Sequence, residues 1–233
     1  MTQSPPLLVF DLDGTLVDTA EDLTATLNVI LTREGIAPLE LAAARPMMGL
    51  GARKLIERGY AAQGVALPDA RREELFVDYL RHYEAHIADH SLPYPGVVDA
   101  LDRFAAAGWR FAICTNKIEH AARKLMGALG LAERFAVIAG QDTFFEHERA
   151  VAKPDPRVLL RTIEAAGGDS CRTIMVGDSN TDILTARAAK VPVIAVDFGY
   201  TDRPIAEYAP DLVISHFDDL WVAVSGLPVS RIA

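Results

Sequence analysis

The chain has little that would staple, anchor or disorder it. Only two of its 233 residues are cysteine, Cys114 and Cys171. They form no Cys-x-x-C pair and lie beside apolar runs, which excludes a disulfide framework and suits reduced, buried thiols in the cytoplasm. No segment approaches the about 20 apolar residues that span a bilayer. The first apolar run is interrupted by Asp11 and Asp13, and no basic region with a signal-like stretch precedes it. Internal repeats and low-complexity tracts are absent. Positive charge is in deficit, 23 Lys and Arg against 32 Asp and Glu, for a net charge of -9. A nucleic acid partner is therefore not expected, because phosphate backbones need a basic patch to release counterions. A small anion remains open, since a lysine, backbone N–H groups and a metal ion make a positive site inside a negative protein. The expectation is a cytoplasmic protein with neither nucleic acid nor membrane as partner.

Short apolar runs recur along the chain. They are Leu7–Phe10, Phe111–Cys114, Ala136–Ala139, Thr173–Val176, Val193–Val196 and Leu212–Ile214. Each suits a buried parallel strand. Helical stripes lie between them: Val97, Val98, Leu101 and Phe104, stopped by Gly108; Leu125 and Leu129; Val158, Leu159, Ile163 and Ala166 after Pro154 and Pro156; Ile183, Leu184 and Ala188. This alternation predicts an α/β fold, a Rossmann-like parallel sheet with helices on both faces. One interval, residues 18–90, contains no strand-like run. It reads as an inserted α-helical cap, which divides the chain into a catalytic core of residues 1–17 and 91–233 and a cap of residues 18–90. Hinges are expected near residues 15–20 and 88–96.

Four polar clusters follow strand ends, where ligands of open parallel sheets bind. The first is Asp11-Leu12-Asp13-Gly14-Thr15. Two carboxylates at the end of a buried strand repel each other and lose hydration, a conflict that a hard divalent cation resolves. The second is Thr115-Asn116. It can hydrogen-bond phosphate oxygens, although in isolation such a pair is more often a helix cap. The third is Lys153-Pro154-Asp155-Pro156, whose lysine can neutralise a phosphate or simply sit in solvent. The fourth is Gly177-Asp178-Ser179-Asn180-Thr181-Asp182. Asp178 would be a metal ligand, and Asp182, four residues on, could hold a metal-bound water or Lys153. A plain helix N-cap would explain one of those acids and leave the other without a reason.

In this order the four clusters resemble the haloacid dehalogenase-like hydrolase superfamily, over most of the chain from Val9 to Gly199. Gly177-Asp178-Ser179 with Asp182, and Val196-Asp197-Phe198-Gly199-Tyr200, look most like its phosphoglycolate phosphatase family. Gly140-Gln141-Asp142-Thr143 is similar to a Gly-Gly-Asp-Thr segment of that family but has Gln at 141, and the stretch from Phe144 to Ala152 is longer and more charged. The resemblance implies Mg²⁺-dependent hydrolysis of 2-phosphoglycolate, a small phosphorylated metabolite, by a monomer or homodimer. It implies that Asp11 is the nucleophile and a Mg²⁺ ligand. Asp13 is then general acid and base, binding the ion through its carbonyl. Thr115 and Asn116 bind the phosphoryl group, Lys153 offsets its charge, and Asp178 is a further ligand supported by Asp182. Acid catalysis by Asp13 predicts that Asp13 is less solvated than Asp11, with a raised pKa. Arg53 or Lys54, beside Gly49-Leu50-Gly51, could meet the substrate carboxylate, or could lie on an exposed helix face.

His82, His86 and His90 recur every four residues and could share one helix face. The Glu is misplaced for a His-Glu-x-x-His zinc site, so a solvated or half-buried helix is the better reading. Gly49-Leu50-Gly51 is not a dinucleotide fingerprint, because Lys54 stands where a third glycine would be. Two rivals stay open. One is a related phosphatase or phosphomutase acting on another phosphate ester such as a sugar phosphate. The other is a phospho-aspartate signalling receiver.

Overall fold

The computed structural model describes residues 4–227, so the outermost ends of the expected core, residues 1–3 and 228–233, lie outside the described residues. The chain opens with strands β1 (Leu7–Phe10) and β2 (Val17–Asp18). Helices α1 (Ala20–Arg33), α2 (Leu41–Ala44), α3 (Ala52–Ala62) and α4 (Arg72–Ala85) follow, and β3 (Leu92–Pro93) closes this stretch. Next come α5 (Val97–Ala106), β4 (Arg110–Cys114), α6 (Glu119–Ala128), β5 (Val137–Ala139), β6 (Phe145–Glu146), β7 (Arg149–Ala150) and α7 (Pro156–Ala165). The last elements are β8 (Thr173–Gly177), α8 (Asn180–Ala189), β9 (Val193–Val196), β10 (Leu212–Ile214) and α9 (Leu220–Gly226).

Six strands form one sheet in the order β10-β9-β8-β1-β4-β5, with every pairing parallel. All six were legible as apolar runs. The side chains of β1 alternate between two cores. Leu8 and Phe10 join Ile113, Ile174, Val176, Ile194 and Val196 beneath Leu101 and Phe104 of α5, Leu125 of α6 and Leu220 of α9. Leu7 and Val9 join Ala112, Cys114, Met175 and Ala195 beneath Val158 and Ile163 of α7 and Ile183 of α8. Full burial of such side chains contributes about 1.5–3 kcal/mol each, which explains why this strand sits at the centre. The chain runs outward through β4 and β5 and then crosses back to β8, so the order reverses beside β1. A parallel sheet opens a crevice there, at its carboxyl edge.

The helices α1 to α4 stand between β2 and β3, which pair antiparallel as Val17↔Pro93 and Asp18↔Leu92. Leu27, Ile30, Leu55, Ile56, Leu75 and Tyr79 pack these helices together, and their core is continuous with that of the sheet. Asp18 therefore belongs to a strand, and the helical stretch begins at Ala20. Two-residue strands carry too little pattern to be read in advance. The charged stretch after Thr143 is the β6–β7 hairpin. Its turn residues His147 and Glu148 both have positive φ, without the Asn-Gly signal that normally marks such a turn.

Cys114 is buried, but Cys171 is exposed, correcting the expectation of two buried thiols. Cys171 lies in a helical turn just ahead of β8. No helix among the described residues is long and apolar enough to cross a membrane.

Candidate active site

Asp11 is the first residue beyond β1. Its N–H donates to Val176 O at 2.9 Å, extending the strand pairing by one residue. The residue is buried. Its Oδ1 accepts from Leu12 N at 2.7 Å and lies 2.9 Å from Lys153 Nζ. Oδ2 takes part in neither contact. Lys153 also donates to Asp182 Oδ1 at 2.6 Å. Asp182 Oδ2 accepts from Ser179 N and Ser179 Oγ at 3.1 and 2.6 Å, closing a capping box at the start of α8. Thus Asp182 caps a helix and also binds the lysine. Asp178 is fully buried. Its Oδ1 accepts from Thr15 Oγ1 at 3.1 Å and its Oδ2 from Tyr200 N at 2.7 Å.

Asp11, Asp178 and Asp182 each offer an oxygen, and these oxygens lie within 4.8 Å of one another. Burial, opposed by Lys153 and reinforced by Asp182, pushes the Asp11 carboxyl up to about 7. Burial, with Asp11 and Asp182 close by, holds Asp178 well above the usual carboxylate range. Burial alone would lower the Lys153 ammonium, but Asp11 and Asp182 outweigh it and hold it raised. Three buried acids thus share one cation. A divalent ion with oxygen preference matches that excess of negative charge, so the residues fit the implied metal. The space around Asp178 is kept by glycine. Gly14 has φ +83°, and a Cβ there would lie 2.3 Å from Asp178 Oδ2. A Cβ at Gly199 would lie 2.2 Å from Asp178 Cβ.

Asp13 takes a different direction. The turn at Gly14, where N–H donates to Val17 O at 2.9 Å, carries Asp13 out of the sheet towards the helical insert. Its Oδ1 accepts from Thr19 Oγ1 at 2.7 Å, and Lys117 Nζ donates to Oδ1 and Oδ2 at 2.8 and 2.9 Å. The Asp13 side chain is 13% exposed against 4% for Asp11. This reverses the expected order of solvation, because Asp11 stays in register with a central strand whereas Asp13 has left it.

Thr115 and Asn116 follow β4 and lie with Asp11 and Asp13 on one cavity wall. They do not cap α6, which starts at Glu119 with Ile118 as its N-cap. Asn116 Nδ2 donates to Lys153 O at 3.3 Å, while its buried Oδ1 has no partner. Lys117 lines the same cavity. The sequence gives no sign of this, since a lysine following Thr-Asn carries no local signal of burial. Pro154 does not begin a helix; α7 starts at Pro156, with Asp155 accepting from Arg157 N at 2.9 Å.

The structure does not bring Arg53 to this cavity. Its guanidinium pairs with Glu73 through two contacts and lies 3.6 Å from the Phe76 ring centroid. Lys54 pairs with Glu57 at 2.8 Å. Both follow the exposed side of α3. The histidines do not share one face either. His82 and His86 stack at 4.6 Å, but α4 ends at Ala85, and His90 N donates to Asp22 instead.

The protein-family model for haloacid dehalogenase-like hydrolases matches residues 8–196. A phosphoglycolate phosphatase of Mesorhizobium japonicum is 52% identical over 95% of this chain and 96% of its own length. One from Agrobacterium fabrum is 47% identical over 99% and 98%. Among solved structures, a predicted phosphoglycolate phosphatase from Haemophilus somnus superposes with TM-score 0.85 at 26% identity, covering 96% of this chain and 99% of that one. CbbY of Rhodobacter sphaeroides, solved in complex with phosphate, shares the fold with TM-score 0.77 at 23% identity, covering 93% of this chain and 96% of that one. These matches set aside the signalling-receiver alternative, and the chain belongs to the haloacid dehalogenase-like hydrolases, within their phosphoglycolate phosphatase family.

Proposed function

We propose that the protein is a Mg²⁺-dependent phosphatase that hydrolyses 2-phosphoglycolate to glycolate and phosphate through a phospho-aspartate on Asp11. One observation carries this reading. Asp11 lies in a cavity wall with Oδ1 tied to Lys153 and Leu12 N, leaving Oδ2 uncommitted. A carboxylate held by one oxygen presents the other for attack.

Asp11, Asp178 and the Asp13 carbonyl would hold the ion, with Asp182 in support. When bound, the ion supplies positive charge to the phosphoryl oxygens and to the carboxylates around them. Thr115 and Asn116 bind and orient the phosphoryl group, and Lys153 offsets the charge that gathers between it and Asp11. Asp11 Oδ2 forms a bond to phosphorus as the ester P–O bond breaks. The Asp13 carboxyl gives its proton to the departing alkoxide. In the second half, the Asp13 carboxylate takes a proton from water, whose oxygen attacks phosphorus and frees Asp11.

The helical insert acts as a cap over this site. Leu23, Met48, Leu55, Tyr79, Leu80 and Tyr83 face the cavity from it. The enclosed space is about 40 Å³, room for roughly three water molecules. No phosphate ester fits so small a space, so the insert must move for substrate to enter. A panel of phosphate esters that includes 2-phosphoglycolate and sugar phosphates, with and without Mg²⁺, tests the reading by phosphate release. 2-Phosphoglycolate should lead, and a chelator should abolish turnover. Equal rates across sugar phosphates would reject the substrate, and full turnover in chelator would reject the metal.

A further inference from the structure

We infer that Lys117, the Tyr83 hydroxyl and the first turn of α3 together form a subsite for a carboxylate, one that selects phosphate esters bearing that group on the carbon next to the ester oxygen. The inference rests on the phosphatase reading above.

Among the described residues lining the cavity, Lys117 is the one cation. Lys153 is committed to Asp11 and Asp182, and its side chain is inaccessible. Lys117 is itself only 8% exposed. An ammonium has three N–H donors, and Asp13 takes two of them. Its position is set from both sides. Gln141 N donates to Lys117 O at 3.0 Å, and the Tyr83 ring faces the ammonium, with its centroid 4.6 Å from Nζ. Paired with Asp13 on one side, the ammonium keeps a third donor for a second anion.

The second element is Tyr83. This α4 residue is 2% exposed and lines the same cavity, yet its hydroxyl has no hydrogen-bond partner. Buried polar groups are nearly always satisfied, and an orphan on a cavity wall points to a ligand atom. The third element is the start of α3, eleven residues long, whose N-cap Gly51 supplies no side chain to its free N–H groups. Gly51 and Ala52 line the cavity. A Cβ at Gly51 would lie 3.0 Å from Asn116 O, so the helix start is pressed against the loop that carries Lys117. Anions bind at such helix starts.

A carboxylate satisfies all three elements at once. It accepts from the ammonium, the phenol and the amide N–H groups. The rest of the insert's wall is largely apolar, with Leu23, Met48, Leu55 and Leu80 offering nothing to sugar hydroxyls. Lys117 comes from the core, whereas Tyr83 and α3 come from the insert. The substrate carboxylate therefore bridges the two and favours the closed arrangement.

The test compares kcat/KM for 2-phosphoglycolate and for ethyl phosphate, which keeps the two-carbon ester and lacks the carboxylate. The wild-type ratio should be at least about 100. In Lys117→Met that ratio should fall about 100-fold, and in Tyr83→Phe about 10-fold, with the loss mainly in KM. Tyr83→Phe keeps the ring and its packing, so it serves if the lysine variant does not fold. Loss of both activities in proportion, or a ratio unchanged in Tyr83→Phe and Lys117→Met, overturns the subsite while leaving the phosphoglycolate reading intact. A wild-type ratio near one overturns both, and continued hydrolysis of ethyl phosphate would then still mark a phosphatase.

Discussion

Lys153 Nζ lies 2.9 Å from Asp11 Oδ1, and both side chains are buried. The pair holds the carboxylate that we propose attacks phosphorus. Lys153 is also the cation that the three buried acids share.

Lys153→Met should therefore damage both function and fold. Removing one partner of a buried ion pair costs about 3–5 kcal/mol, because the remaining charge is left unpaired. Turnover should fall by roughly 10²–10³-fold, as when one stabiliser of transition-state charge is lost. Denaturant unfolding and phosphate release read the two effects separately. Unchanged stability would show that the acids are not charged together in the fold.

Gly199→Ala and Gly14→Ala should weaken metal dependence before they disturb the rest of the protein. The new Cβ would lie 2.2 Å from Asp178 Cβ in the first case and 2.3 Å from Asp178 Oδ2 in the second. Either displaces the carboxylate, and Gly14→Ala adds strain at φ +83°. The Mg²⁺ concentration for half-maximal activity should rise about tenfold or more. Wild-type Mg²⁺ dependence in both variants would mean that Asp178 is not a ligand.

Stability without metal should fall as pH rises. Asp11 is raised from 3.8 to about 7 in the fold, and Asp178 is raised as well. The folded state then holds protons that the unfolded chain has released. The stability these groups contribute is fully present below about pH 4 and is lost as pH climbs through about 7. Bound Mg²⁺ replaces those protons, so its effect on Tm should be several degrees larger at about pH 8 than at about pH 6. An equal shift at both pH values would contradict the assignment.

Arg53→Ala should do little. Its ion pair with Glu73 leaves both side chains at least half exposed, and water screens such surface pairs so that they contribute little. kcat/KM for 2-phosphoglycolate should stay within about threefold of wild type. A fall comparable to that of Lys117→Met would place a second cation at the substrate.

The sequence disclosed the sheet because each of its six strands is an unbroken apolar run, a pattern that survives without tertiary context. The acids were legible for a related reason: each follows such a run, and strand ends of one sheet share an edge. Lys117 was not, because its burial depends on Tyr83, which lies 34 positions before it in the chain and on a different element. Arg53 is suggested only by its proximity to a glycine turn, and nothing local says that Glu73 and Phe76 draw its side chain away. The relative solvation of Asp11 and Asp13 depended on where the backbone leaves the sheet, and a one-residue difference in register decides that.

The most direct measurement is a single turnover of 2-phosphoglycolate with Mg²⁺, quenched in acid and followed by peptide mass spectrometry. The peptide that contains Asp11 should carry one phosphoryl group, placed on Asp11 by fragmentation and lost on treatment with hydroxylamine. A turnover that leaves the phosphoryl group on another residue, or on none while phosphate forms at full rate, would contradict attack by the Asp11 carboxylate.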